Sequence, residues 1–215
     1  MLANKFIPGK TKINFPCIIQ PKLDGVRCLC RDNVSEIIYR SRSDSKWDNI
    51  NTEFDAEIGI FLTYIPYIVE LDGEIYLHGL KFSKISSVLK NKKDPCLKKL
   101  IYTIYDFNTS ERLPYEVRWN TLENAKKQYL FDGFKMTRFN ILESLTANSI
   151  EEIYQFHQYF RSLGYEGIII RKIAGINPTD KIIDEALYKS GKSNNLLKYN
   201  NLEDYQKTAI KLTKE

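Results

Sequence analysis

Short runs of β-branched and aromatic residues recur at Cys17–Gln20, Val26–Arg31, Ile37–Arg40, Ile65–Tyr76, Leu100–Phe107 and Gly167–Arg171, with a last one at Leu196–Tyr199. Such side chains suit a pleated, half-buried backbone, so each run reads as a strand. Their placement constrains the fold more than any other feature. They bunch toward both ends, with helical periodicity between and around them, and the regular βαβ alternation of a parallel sheet is missing. The clearest helix spans Ile150 to Leu163, where Ile153, Tyr154, His157, Phe160 and Arg161 recur at three-to-four spacing behind Ser149, a good N-cap. Weaker helices are expected near Phe82–Lys90 and Glu116–Gln128. The expected class is α+β with largely antiparallel sheets.

With 215 residues, of which 43% are hydrophobic, the chain can bury a sizeable core. No repeat, low-complexity tract or linker marks a boundary, so one domain is the simplest account. No stretch approaches the roughly 20 apolar residues of a membrane helix, and Met1-Leu2-Ala3-Asn4-Lys5 is too polar for a signal peptide. The expectation is a soluble, intracellular protein, in nucleus or cytoplasm, with no membrane partner. Cys17, Cys28, Cys30 and Cys96 lack the paired spacing of a zinc site and read as reduced thiols, largely buried. A formal charge of +5 admits a polyanionic partner without naming it.

The segment Lys22-Leu23-Asp24-Gly25-Val26-Arg27 follows an apolar strand and Pro21. It reads as strand, turn and strand, with the turn placing the lysine. A free lysine amine is mostly protonated at neutral pH; partial burial and nearby cations would release its lone pair for attack. Arg27 and the lysine-rich C-terminal stretch are candidates to supply those cations. Read alone, the segment is equally an ordinary Asp-Gly hairpin with charged flanks.

Four further segments follow it: Glu70-Leu71-Asp72-Gly73-Glu74, Tyr105-Asp106, Glu166-Gly167-Ile168 and Leu197-Lys198. Together the five resemble motifs I, III, IIIa, IV and V of ATP-dependent DNA ligases, in order and across nearly the whole chain, most closely the viral and phage enzymes. The resemblance implies a nucleotidyltransferase (adenylation) domain over residues 1–215, ATP-grasp-like, with two mainly antiparallel sheets flanked by helices and a nucleotide pocket between them. It implies that Lys22 attacks the α-phosphate of ATP, expels pyrophosphate and holds AMP as a phosphoramidate. The AMP would then pass to the 5′-phosphate of a nick in duplex DNA, to be displaced by the 3′-hydroxyl, as in DNA repair and replication.

The same resemblance assigns the rest of the site. Glu74, read as closing the second Asp-Gly turn, would hold the ribose or a magnesium ion, and Glu166, at a strand start, would help hold that magnesium. Tyr105 would stack on the adenine, and Gln20 would touch the base. Arg27 and Lys198 would line the phosphates. Arg42, in Tyr39-Arg40-Ser41-Arg42, would engage ATP phosphates or the 5′-phosphate of the DNA, which suits a bidentate guanidinium. Arg118 would support the pocket from a helix. His78 and His157 have no ligand or triad partners and read as structural.

Two departures stand out. Motif V in these ligases carries two lysines flanking one residue, whereas here the order is Lys198-Tyr199-Asn200, so that replacing Asn200 with lysine is expected to accelerate adenylation. Lys192 or Lys207 are candidate substitutes for the missing charge. Few residues follow motif V, and the C-terminal OB-fold domain that usually completes a ligase is absent from the sequence, which fits a fragment, expected to be a monomer. The alternatives are an mRNA capping guanylyltransferase, which tends to have aspartate where Glu166 stands, an RNA ligase, and a catalytically weakened nick-binding module.

Overall fold

The computed structural model describes residues 1–33, 36–47, 50–175, 178–189 and 191–200. Along them run β1 (Leu2–Lys5), β2 (Cys17–Lys22), β3 (Val26–Asp32), β4 (Ile37–Arg40), α1 (Asn51–Leu62), β5 (Ile68–Tyr76) and α2 (Phe82–Lys90). A 3-10 turn at Pro95–Lys99 leads to β6 (Ile101–Thr109), α3 (Tyr115–Phe131), β7 (Phe139–Ile141), β8 (Leu145–Ala147), α4 (Ile150–Ser162), β9 (Gly167–Lys172), α5 (Asp180–Ala186) and β10 (Lys192–Tyr199). The chain divides into two compact units. A terminal unit joins residues 1–23 to the described residues from 143 onward, and a central unit is Asp24–Leu142. Each holds one five-stranded sheet, and the expected α+β class with mainly antiparallel sheets is what the chain forms. Among the described residues no helix is long and apolar enough to cross a membrane.

The terminal sheet has the order β1-β10-β9-β2-β8, and only the β1–β10 pair is parallel. Because strand side chains alternate, Cys17 and Ile19, Ile168 and Ile170, and Leu197 and Tyr199 fall on one face. That face packs with Phe6 and with Ile153 and Phe160 of α4 into one core, each large apolar side chain contributing about 1.5–3 kcal/mol by its burial. The Ser149 hydroxyl accepts from the Glu152 amide (3.2 Å), while the Glu152 carboxylate accepts from the Asn148 amide (2.8 Å), so α4 starts where its cap predicts. Strand β10 begins earlier than its apolar run. Its polar start, Lys192-Ser193, is held by pairing with β1, a backbone effect that side-chain periodicity does not report.

The central sheet has the order β4-β3-β5-β6-β7, parallel only between β6 and β7. Its core includes Cys28, Cys30, Phe54, Phe61, Tyr102 and Leu122, with α1, α2 and α3 contributing. Helix α1 has no counterpart in the sequence expectation. Its buried residues Phe54, Ile58, Phe61 and Leu62 do follow helical spacing, but Gly59 and β-branched neighbours weaken local propensity, and burial decides instead. The strand expected from Ile65 starts at Ile68, because Pro66 cannot donate to a ladder and Tyr67 has a left-handed φ of 57°. All four cysteines are free, and three are buried. Burial pushes the Cys17 thiol up to about 12 and those of Cys28 and Cys30 well above the ordinary range.

Candidate nucleotide-handling site

In the terminal unit Lys22 is the last residue of β2 and pairs with Gly167 of β9, so a strand end, not a turn, fixes its backbone. Pro21 is tolerated because β8 pairs with β2 only from Cys17 to Ile19, leaving no second neighbour where the ring lacks a donor. The Lys22 carbonyl accepts from the Glu166 amide at 3.2 Å. The Lys22 ammonium forms an ion pair with the Glu166 carboxylate, and their side chains keep 21% and 35% of their surface open. Where cations were expected around this amine, the charged partner described is an anion. The Arg27 guanidinium is bidentate on Asp72 at 2.9 and 2.7 Å; the stretch beyond residue 200, Lys207 included, lies outside the described residues.

The second Glu166 oxygen accepts from the Asn200 side-chain amide at 2.6 Å. Asn200 gets there because Gly167 has no side chain: a Cβ at that position would lie 2.7 Å from the Asn200 Cα. His157, buried on α4, bonds the Asn200 carbonyl at 2.8 Å, a structural role as expected. Lys192 does not replace the missing charge, because it opens the eight-residue β10 and Asn200 follows the far end of that strand, roughly 25 Å away at strand rise.

Register places Gln20, Ile169 and Lys198 side by side across β2, β9 and β10. This row is on the face opposite the α4 core, as is Lys22 two residues on from Gln20. Gln20 is 1% exposed and its amide is engaged at both ends: its oxygen accepts from Arg171 Nε at 2.7 Å and its nitrogen donates to Ser144 at 2.9 Å. Arg171 is therefore a residue that sequence reasoning missed. The one available signal was a charged side chain closing the apolar run of β9. Lys198 is exposed.

In the central unit the two Asp-Gly steps behave differently. Asp24-Gly25 leads into β3 and is no hairpin, because β2 and β3 belong to different sheets. The Gly25 amide donates to Glu74 Oε2 at 3.1 Å, and a Cβ there would come within 2.8 Å of the Ile75 carbonyl. Asp72-Gly73-Glu74 forms no turn either. It lies within β5, so Glu74 is a strand residue paired with Arg27 on one side and Thr103 on the other. Gly73 is required by packing, since a Cβ would sit 2.8 Å from the Tyr102 ring.

Register also breaks at that point. Asp72 pairs with Asp106 and Gly73 with Ile104, which leaves Tyr105 as the extra residue of a β-bulge. A bulge re-aims the side chain it carries, and half-buried Tyr105 is flanked by buried Ile104 and Asp106. Asp106 is locked by Arg118 of α3, whose guanidinium is bidentate on it at 2.7 and 3.1 Å and also donates to the Leu113 carbonyl at 2.6 Å. Arg118 thus fixes the residue next to Tyr105 from a helix. Arg42 is exposed in the turn after β4, and His78 bonds the Tyr76 hydroxyl.

Among the described residues no three His, Cys, Asp or Glu side chains converge as a ready metal cage. Magnesium needs none: it is commonly held by one or two carboxylates together with substrate phosphates and water. Glu166, an accessible carboxylate beside the candidate nucleophile, fits that pattern.

Comparison with known proteins follows the same line. The family model described as ATP dependent DNA ligase domain matches residues 1–200. The DNA ligase of an African swine fever virus isolate (Tick/South Africa/Pretoriuskop) is 28% identical over 166 residues, covering 74% of this chain and 37% of the relative. The chain spans well under half the length of that relative. Of solved structures, the Chlorella virus DNA ligase-adenylate is 23% identical with a TM-score of 0.67, over 93% of this chain and 66% of that one. The ATP-dependent DNA ligase of bacteriophage T7 in complex with ATP is 19% identical with a TM-score of 0.64, over 93% and 67%. At these identities the structural likeness speaks of fold.

Proposed function

This chain belongs to the ATP dependent DNA ligase domain family, and on that footing we propose that Lys22 takes up AMP from ATP and passes it to the 5′-phosphate of nicked duplex DNA. The observation that carries this reading is the placement of Lys22: a lysine at a strand end, held by an accessible carboxylate, on the sheet face that also carries Gln20 and Lys198. The Lys22 Nζ attacks the α-phosphorus, a nitrogen–phosphorus bond forms, and the bond to the β-phosphate oxygen breaks with pyrophosphate leaving. The amine must first leave Glu166 and lose its proton. Magnesium bound at Glu166 would neutralise charge on the phosphate oxygens. Lys198 adds a positive charge for the phosphates, Tyr105 offers an aromatic face for adenine, and Arg42 a guanidinium for a phosphate. The second and third steps transfer AMP to the DNA 5′-phosphate and expel it by the 3′-hydroxyl.

The test is covalent labelling. Incubated with magnesium and ATP labelled at the α-phosphate, the protein should acquire covalent label on Lys22 that survives alkali and is lost in hot acid, as a nitrogen–phosphorus bond requires, and Lys22→Ala should acquire none. Label from GTP in place of ATP would overturn the ligase reading in favour of capping chemistry, and label on Lys22→Ala would overturn the assignment of the nucleophile. Sealing of nicked DNA and nicked RNA duplexes carrying a pre-adenylated 5′ end then reads the polymer preference apart from the first step.

A further inference from the structure

Residues 81–99 contain seven lysines, Lys81, Lys84, Lys90, Lys92, Lys93, Lys98 and Lys99, and a single acid, Asp94. This short segment carries +6, whereas the whole chain carries +5, so all remaining residues together carry −1. All seven lysines are exposed. Lysine runs are usually just a solvated face, but here the structure gathers them. The segment comprises α2, a loop and the 3-10 turn, anchored by buried Ile85, Val88, Leu89 and Leu97. Lys84 reaches Asp94 at 3.6 Å, which shows the loop folded back beside α2. Asp94 also accepts from the Cys96 amide at 2.9 Å, so the one negative charge is turned onto its own backbone. Arg138 donates to the carbonyls of Leu97 (3.4 Å) and Lys98, adding a guanidinium where the 3-10 turn ends.

We propose that this lysine surface of the central unit is where the chain grips the phosphate backbone of duplex DNA. The inference rests on the ligase reading for its choice of polyanion and deepens it by naming the surface. Ammonium groups are point charges on flexible stems. They neutralise phosphates without reading base edges, which is what sealing nicks of any sequence requires.

The experiment measures binding of the chain to a short nicked DNA duplex by fluorescence anisotropy over a series of salt concentrations. Each phosphate neutralised contributes about 0.9 to the slope of log affinity against log salt. The variant Lys90→Gln/Lys92→Gln/Lys93→Gln/Lys98→Gln/Lys99→Gln should shift that slope by roughly 2–4 toward zero and bind at least about tenfold more weakly at low salt. Removing Lys126 and Lys127 from α3 should change the slope less per charge. An unchanged slope in the five-lysine variant overturns the proposal, and so does a parent chain that binds no duplex at low salt. Labelling of Lys22 by ATP is read in parallel. Its absence from the parent defeats the AMP-loading reading and leaves the binding result standing; its retention in the variant shows that the fold is intact. If the five-lysine variant melts early, the loop pair Lys92→Gln/Lys93→Gln gives the slope instead, shallower by roughly 1–2 if the surface binds DNA.

Discussion

Each unit contains a charged pair that looks similar on paper, and the two are built for opposite purposes. Lys22–Glu166 in the terminal unit keeps 21% and 35% of its side-chain surface open, whereas Arg118–Asp106 in the central unit keeps none and 1%. The first leaves both charged groups reachable from solvent. The second is sealed, bidentate and supplemented by a backbone carbonyl, so its charges have nowhere else to go. Exposure, more than proximity, separates a pair available to chemistry from a pair that holds a fold.

The sharpest way to break this contrast is to truncate both cations. Arg118→Ala leaves the Asp106 carboxylate buried without its partner and should cost about 3–5 kcal/mol in urea unfolding, whereas Lys22→Ala should cost less than about 1 kcal/mol while removing all AMP label. Equal losses of stability would dissolve the distinction. On the substrate side, Tyr105→Leu should weaken the response to ATP in single-turnover labelling by roughly 1–3 kcal/mol, the worth of a base stack, with Tyr105→Phe close to the parent. A Leu variant that behaves as the parent does would make Tyr105 a packing residue.

A finer probe acts on Glu166. Asn200→Ala removes the amide that orients this carboxylate and should slow labelling by about tenfold, equivalent to ~1.4 kcal/mol. Asn200→Lys brings a competing ammonium to Glu166, loosens its hold on Lys22 and should speed labelling; an unchanged rate would mean that Asn200 is no deficiency. The smallest expected effect is on stability against pH. Burial pushes His157 below its ordinary value of 6.5. The unfolded chain therefore takes up its proton first as pH falls, so this contribution is complete above 6.5 and is lost as pH drops toward the folded value. Thermal melts between pH 8 and 5 (roughly that span) should show a shallower decline for His157→Gln than for the parent, and parallel curves would dismiss the histidine.

Much of this was legible in the sequence, for identifiable reasons. Strand runs survived because β-branched residues end up paired, and α4 was visible from its cap and spacing. Helix α3 was only weakly visible because Arg118 interrupts its buried face, which runs through Tyr115, Leu122, Ala125 and Tyr129. The Asp-Gly steps misled, since the dipeptide that makes hairpins elsewhere here serves a close approach at Gly25 and a packed ring at Gly73. The bulge at Tyr105 and the Gln20–Arg171 bond depend on cross-strand register, which no local pattern encodes.

The long span between Lys22 and Glu166 also bears on how the chain is made. The two residues are 144 positions apart, which at ribosomal speeds of about 5–20 residues per second means a delay of roughly 7–30 s. The central unit is contiguous and is synthesised within that interval. The lysine near the end of the terminal unit's first segment therefore waits through the making of the entire central unit before its carboxylate exists.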